Sequence, residues 1–364
     1  MPYLPGGLVS AALPSPVPPA GQDAPAAGAA SPLLARPGAV EAEGLDAGVA
    51  AHYGDPMREQ RLLAEGLAVV DLSHRGVVTV SGPDRLSWLH SMTTQELTGL
   101  PPRTSRETLV LSPKGHLEHA VHVVDDGERA WLSVEPGTAP ALVAWLESMR
   151  FMLRVEVADV SGSWAVLGEP MGGESAEGEP LAWVDPWPGL VGDTVAYGPP
   201  EGHPALGRAW RELLVPRDRL ASAVGDRPLA GVWAAEALRV AAWRPRLGLE
   251  TDHRTIPHEL DWLRTAVHLH KGCYRGQETV ARVHNLGRPP RRLVFLHLDG
   301  SGHVLPSRGA PVIVGEREVG RLTSVARHYE DGPVALAVVK RSVPEDVDCL
   351  VEGVAAAQTP VVRG

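Results

Sequence analysis

Between residues 77 and 81 apolar and polar positions alternate, which predicts a strand with one face buried. Gly82-Pro83-Asp84 then turns the chain into a stretch where Leu86 and Leu89 share one helical face. Residues 108–111, 117–124 and 130–134 read as strands, separated by Ser112-Pro113-Lys114-Gly115 and Asp125-Asp126-Gly127-Glu128, so an antiparallel meander is expected. In 139–149, Leu142, Val143, Leu146 and Met149 fall at helical spacing. Strands are predicted at 155–160 and 164–167, followed by a Gly- and Glu-rich loop at 168–180. Pro216 opens a short helix to 224, and a longer one over 228–243 would bury Val232, Ala235, Leu238 and Val240. After Pro289-Pro290 the pattern changes to short alternating strands at 292–298, 310–314, 318–325 and 334–339.

Strands and helices mixed without regular βαβ alternation define an α+β body, and the final strands define a separate all-β barrel. The expected division is a Pro/Ala/Gly-rich tail over 1–45, an α+β region over 46–286 in two halves split near 150, and a barrel over 287–364. The tail is too poor in large apolar residues to offset its chain entropy and reads as disordered. Its first basic side chain is Arg36, so it lacks the charged start of a secretory signal. A chain of 364 residues exceeds what one core usually serves. Its net charge of −10 argues against a surface built for nucleic acid, so direct tRNA binding is not expected. Two cysteines fit a reducing compartment, and no apolar run reaches the ~18 residues of a membrane span, so a cytoplasmic protein with no membrane partner is expected.

The segment Lys271-Gly272-Cys273-Tyr274-Arg275-Gly276-Gln277-Glu278 sets one cysteine between glycines and cations. A thiol near Lys, Arg and a helix N-terminus ionises more readily, which would make Cys273 nucleophilic; the alternative is a buried cysteine in a Gly-rich turn. From Lys271 to Arg292 six cations stand against Glu278 alone, a candidate surface for a polyanion or a solvated linker into the barrel.

Lys-Gly-Cys-Tyr-x-Gly-Gln-Glu, continued by Thr279-Val280-Ala281-Arg282, resembles the signature of the YgfZ family of folate-binding, GcvT-like proteins of iron–sulfur cluster assembly and repair. Ser81-Gly82-Pro83-Asp84-Arg85, Leu111-Ser112-Pro113-Lys114-Gly115-His116 and Gly320-Arg321-Leu322-Thr323-Ser324 look like family segments in family order. The resemblance implies a ring of two ferredoxin-like α+β units and a C-terminal β-barrel around a cavity for tetrahydrofolate or a derivative. It implies a redox or transient ligand role for Cys273, with Lys271 beside it, at the cavity rim. It also implies cofactor contacts from Glu259, Trp233 or Trp243, Tyr274, Gln277 and Arg282. A carboxylate such as Glu259 suits the paired donors of a pterin edge, although it could equally cap a short helix, and either tryptophan could equally be core.

The chain departs from related proteins in two places. Arg75 stands near the place where some relatives carry a tryptophan, and no tryptophan precedes Trp88. Paired aspartates of the aminomethyltransferases correspond to Glu118 and His119, which argues against aminomethyl transfer because the longer side chain displaces the carboxylate. One thiol with His268 and His270 does not compose a metal site. The expected function is a folate-binding accessory protein serving iron–sulfur apoproteins or cluster carriers, including those of tRNA-modifying enzymes. The alternative is a folate-dependent one-carbon transferase.

Overall fold

The structure, a computed structural model, describes residues 30–199 and 201–363. Residues 1–29 of the expected tail lie outside the described residues. From residue 30 onward the expectation of disorder does not hold. Pro32–Ala35 is a 3-10 turn capped by Ser31, and Val40–Glu41 pairs with Ala50–His52. Composition misleads here because Leu33, Val49 and Ala51 find apolar partners on the body rather than within the segment.

Two five-stranded sheets form the body. The first runs Ser105–Leu111, Leu117–Asp125, Arg129–Val134, Gly76–Ser81, Glu156–Asp159, antiparallel throughout. The second runs Leu181–Val184, Arg211–Pro216, Trp164–Glu169, Val69–Asp71, Leu229–Ala230, and its last pair is parallel. The halves exchange strands. Val69–Asp71 precedes every strand of the first sheet yet belongs to the second, and Glu156–Asp159 lies past the expected split near 150 yet forms an edge of the first.

Stacking of the two sheets alters the predicted burial. Val78 and Val80 pack on Trp88, Leu89, Leu142 and Leu146 of the helices Arg85–Met92 and Ala139–Met149. On the other face Val77 meets Val166, Trp183 and Leu214 of the second sheet. The strand expected to be half-buried is therefore enclosed on both sides, because a sheet covers the face that alternation assigns to solvent.

The helix Ala139–Met149 occupies its predicted residues. Val232–Ala241 is shorter than the expected 228–243, because Leu229–Ala230 joins the second sheet and Trp243 leaves the helix with φ of 54°. Its fully buried positions are Val232, Ala234, Ala237, Arg239 and Val240, with Ala235 and Leu238 partly buried beside them. At the C-terminus six strands close a barrel in the order Arg291–Leu298, Gly332–Lys340, Arg317–His328, Pro311–Val314, Cys349–Val351, Val354–Pro360. The last two go beyond the predicted set. Val294, Leu296, Val312, Leu322, Ala335 and Val351 belong to its core. The architecture is the expected one, an α+β body followed by an all-β barrel.

The start of Val232–Ala241 is pressed against the strand Ala50–His52. A Cβ on Gly231 would lie 2.1 Å from the Ala51 carbonyl oxygen. The Gly231 N–H also donates to Glu59 Oε2 at 2.9 Å, while Glu59 Oε1 accepts from Tyr53 N–H. Gly231→Ala is expected to cost about 1–3 kcal/mol in urea unfolding through backbone displacement. Gly162→Ala, where an added Cβ meets nothing within 4 Å, serves as control. Equal midpoints for the two variants would contradict this reading of the contact.

Candidate functional site

Strand register builds two facing walls. On the first sheet Glu107 pairs with His122, and His122 with Ser133; on the second, Trp183 pairs with Glu212. Between the sheets, and closed on one side by the helix Val232–Ala241 and residues 244–247, lies a cavity lined by polar and aromatic groups. Its empty space is about 700 Å³ including the open mouth.

The walls carry charge that is almost wholly paired. Arg246 bonds Asp46 at 2.7 Å, Glu135 at 2.9 Å and Glu236 at 3.1 Å. Arg244 bonds Glu107 at 2.7 Å and Asp185 at 3.1 Å. Glu107 also accepts from the Trp262 indole N–H at 2.8 Å. Arg75 reaches Glu135 and Ser133 Oγ, both at 3.2 Å. Burial opposes ionisation of Glu212, yet Arg75 and His122 hold its carboxyl down at about 2. One donor is left over: Arg244 Nη1 is buried with no hydrogen-bond partner. Trp183, Trp210 and Trp262 supply the aromatic surface.

The cofactor-contact residues chosen from the sequence lie elsewhere. Trp233 is 54% exposed, tilted against His52 at 5.2 Å. Trp243 is buried between His203 and Phe295. Arg291 grips both oxygens of Glu259, at 2.9 and 2.8 Å, and also takes Asp252 at 2.6 Å, so Glu259 fastens the barrel to the body. Tyr274 is in the core, Gln277 opens the helix Gln277–Leu286, and Arg282 is exposed on it. None of these six lines the cavity. Trp183, Trp210 and Glu212 were not singled out from the sequence. Strands buried on both faces show little alternation, and a single acid within Arg211–Pro216 carries no signal of its inward side.

The motif around Cys273 docks onto the first unit. Gly276, at φ of 85°, and Gly115 pack closely: an added Cβ on Gly276 would meet Ser112 O at 2.7 Å, and one on Gly115 would meet Thr279 Cβ at 2.7 Å. Two of the sequence segments are thereby one contact. Lys271 is buried, and its ammonium donates to the carbonyls of His90, Thr93 and Gln95, the last at 2.9 Å. Burial draws its pKa down to about 8, while three accepting carbonyls favour the charged form. Cys273 is exposed and free. Arg275 pairs with Glu118 at 3.1 Å, Arg291 with acids of the body, and Arg292 with Glu345 at 2.8 Å, so much of the positive segment is internally neutralised. His119 is buried, and burial pulls its imidazole down to about 4; the same effect acts on His203 and His258. Among the described residues no group of three or more His, Cys, Asp or Glu side chains is arranged to hold a metal ion. No described helix is long and apolar enough to cross a membrane.

Comparison with known proteins places these features in context. Residues 47–176 match the GCVT N-terminal domain. A chloroplastic protein of Arabidopsis thaliana named as a transferase is 28% identical over 289 residues, 71% of this chain and 62% of that protein, so the chain spans less than two thirds of that relative. The aminomethyltransferase of Symbiobacterium thermophilum is 27% identical over 350 residues, 85% of this chain and 90% of that protein. The crystal structure of glycine cleavage system aminomethyltransferase T from Bartonella henselae superposes with a TM-score of 0.73 at 18% identity, covering 91% of this chain and 95% of that one. The fold is thus GcvT-like, two α+β units with a closed C-terminal barrel.

The buried His119 generates a pH prediction. Its folded pKa, about 4, lies below the 6.5 of an ordinary exposed histidine, so the unfolded chain binds the extra proton first as pH falls. Its contribution to stability is complete above about pH 6.5 and declines by about 3 kcal/mol by pH 4. His119→Leu is expected to flatten that decline by one proton in urea titrations across the window; an unchanged slope would refute the assignment.

Proposed function

We propose that this protein binds a reduced folate between its two sheets and transfers a one-carbon unit to or from it, as a transferase of the aminomethyltransferase type. The wall of the central cavity carries the reading: indole faces, ionised carboxylates, and one buried guanidinium N–H on Arg244 with nothing to bond. The pyrimidinone ring of a reduced pterin is flat, and its edge presents a carbonyl acceptor beside paired N–H donors. An indole surface, the free Arg244 N–H and carboxylate lone pairs on Asp185 and Glu212 answer those features in turn. Arg244 would take the carbonyl and the carboxylates the N–H edge. When bound, tetrahydrofolate supplies the amine nitrogen that accepts the carbon. Relatives named aminomethyltransferase support this chemistry, and so place the transferase reading ahead of the accessory one.

The protein's own groups supply binding and exclusion of bulk water. The carboxylates of Glu135, Asp185 and Glu212 are held ionised by neighbouring guanidiniums, so the wall meets a ligand already charged and oriented. Glu118, at the position of a family aspartate, is engaged by Arg275 and is not among the cavity-lining residues.

A second reading, the YgfZ-like accessory role in iron–sulfur cluster assembly or repair, is favoured by one feature: Cys273 is exposed and unpaired in its motif. Its partners would be iron–sulfur apoproteins or cluster carriers, with folate in the same cavity.

Calorimetry with tetrahydrofolate is expected to show binding with a dissociation constant on the order of micromolar. An aminomethyl donor should then yield 5,10-methylenetetrahydrofolate, followed through a coupled NADP-dependent dehydrogenase. Binding heat without any product would remove the transferase reading, and absence of both would remove the folate site. On the accessory reading, Cys273→Ala should leave folate affinity intact and depress iron–sulfur enzyme activities in cells several-fold; wild-type activities in that background would dismiss it.

A further inference from the structure

The transferase reading lacks a group to move the proton. On the strand Leu117–Asp125, Glu118 is held by Arg275 and His119 is buried with Nδ1 unpartnered. Ala120 and His122 line the cavity. Among the described residues that line it, His122 is the one histidine.

Its setting differs from that of an ordinary packed histidine. The imidazole lies parallel to the Trp183 indole, with centroids 3.5 Å apart and planes within 3°. Trp183 is itself anchored, donating its indole N–H to Arg106 O at 2.8 Å. His122 Nδ1 stands 2.9 Å from Glu212 Oε2, whose carboxylate is steadied by Ser133 Oγ at 3.4 Å and Arg75 Nε at 3.9 Å. An anionic carboxylate beside Nδ1 selects the tautomer that carries its proton there, which leaves a lone pair on Nε2. No side chain or backbone group among the described residues hydrogen-bonds Nε2. Plane, tautomer and direction of this base are therefore set by two contacts, the Trp183 stack and the Glu212 hydrogen bond, the arrangement that activates acid–base residues in enzymes.

Resting on the transferase reading above, we propose that His122, positioned by Glu212, is the residue that shuttles the proton during one-carbon transfer in the central cavity. The bond between the aminomethyl carbon and the donor's heteroatom breaks, and its electron pair stays on the heteroatom. The acceptor's amine proton passes to His122 Nε2 as the carbon is taken up, and closure of the methylene bridge by the acceptor's second amine expels the amino group as ammonia, which carries off that second amine's proton. His122 passes the proton to the leaving heteroatom and ends neutral, with nothing oxidised or reduced. While it carries the proton, the imidazolium is stabilised by Glu212. Glu212 is a positioning residue, since it acts through His122.

The charged groups around the imidazole are Glu212 and Asp185 on the second-sheet side, Glu107 and Arg75 on the first, and Arg244 from the segment after the helix.

The experiment compares wild type, His122→Gln and Glu212→Gln by tetrahydrofolate calorimetry, by single-turnover transfer from an aminomethyl donor across pH, and by NMR of protein labelled with ¹⁵N-histidine. His122→Gln is expected to bind tetrahydrofolate within about threefold of wild type while transfer slows about 10²- to 10⁴-fold, partly recovered with added imidazole. Glu212→Gln should slow transfer less than His122→Gln does and move the His122 Nδ1 resonance, because the contact at 2.9 Å that positions the ring is altered. In wild type, saturation with tetrahydrofolate should shift the His122 Nε2 resonance and leave Nδ1 nearly unmoved. Wild-type transfer rates in His122→Gln, or an Nε2 resonance indifferent to saturating tetrahydrofolate, would overturn the proposal; the NMR arm needs no variant to fold. Should wild type itself bind no folate or make no product, the transferase reading fails and this role falls with it, a result distinct from loss confined to the variants.

Discussion

The structure depends on charges that can be buried only in company. A guanidinium taken out of water loses several kcal/mol of solvation, and geometry must return it through carboxylates. Arg246 does this by joining Asp46 of the N-terminal segment, Glu135 at the end of a first-sheet strand, and Glu236 of the helix behind the cavity. Arg239 joins the same Glu236 to Glu250 and to Ser324 in the barrel. The bonds that hold separate units together are thus also the lining of the central space. That coupling makes the wall rigid and keeps its polarity fixed before any ligand arrives, which is what electrostatic preorganisation requires.

Local pattern revealed those parts of the molecule that obey one-sided burial. The helix Ala139–Met149 was legible because Leu142 and Leu146 face a core and the opposite side faces water. Four barrel strands were legible as short apolar runs after Pro289-Pro290, even though Arg291–Leu298 and Gly332–Lys340 are buried on both faces, whereas Cys349–Val351 and Val354–Pro360 were not: the latter is Val-Ala-Ala-Ala-Gln-Thr-Pro, with side chains too small to show a period. The second sheet was only partly visible, since Arg211–Pro216 is covered on both faces and contains Glu212. Residues 30–45 looked disordered because their apolar partners lie in distant segments.

The candidate site was legible only where chemistry and backbone constraint coincide. The Lys-Gly-Cys-Tyr segment was conspicuous, yet Gly276 serves a close contact with the Ser112–Gly115 turn, and Lys271 ties down backbone carbonyls. Cavity residues such as Trp183, Glu212 and Arg244 are dispersed along the chain and converge only through strand pairing. Lone charged or aromatic residues in unrelated segments give no hint of that convergence. Cys273 is absent from the cavity lining, so the accessory reading needs a second surface in addition to the cavity that both readings share.

The traded strands Val69–Asp71 and Glu156–Asp159 govern the order in which the molecule can be assembled. A nascent chain emerging as far as the middle of the sequence holds an early strand whose neighbours have not been translated, and a sheet with one raw border. Such a chain has no independent folding module at its front, so ladder formation must wait for remote partners, a topology that slows acquisition of the native state. Heating should by the same logic dissolve both sheets in a single cooperative event, since neither border survives without the other half.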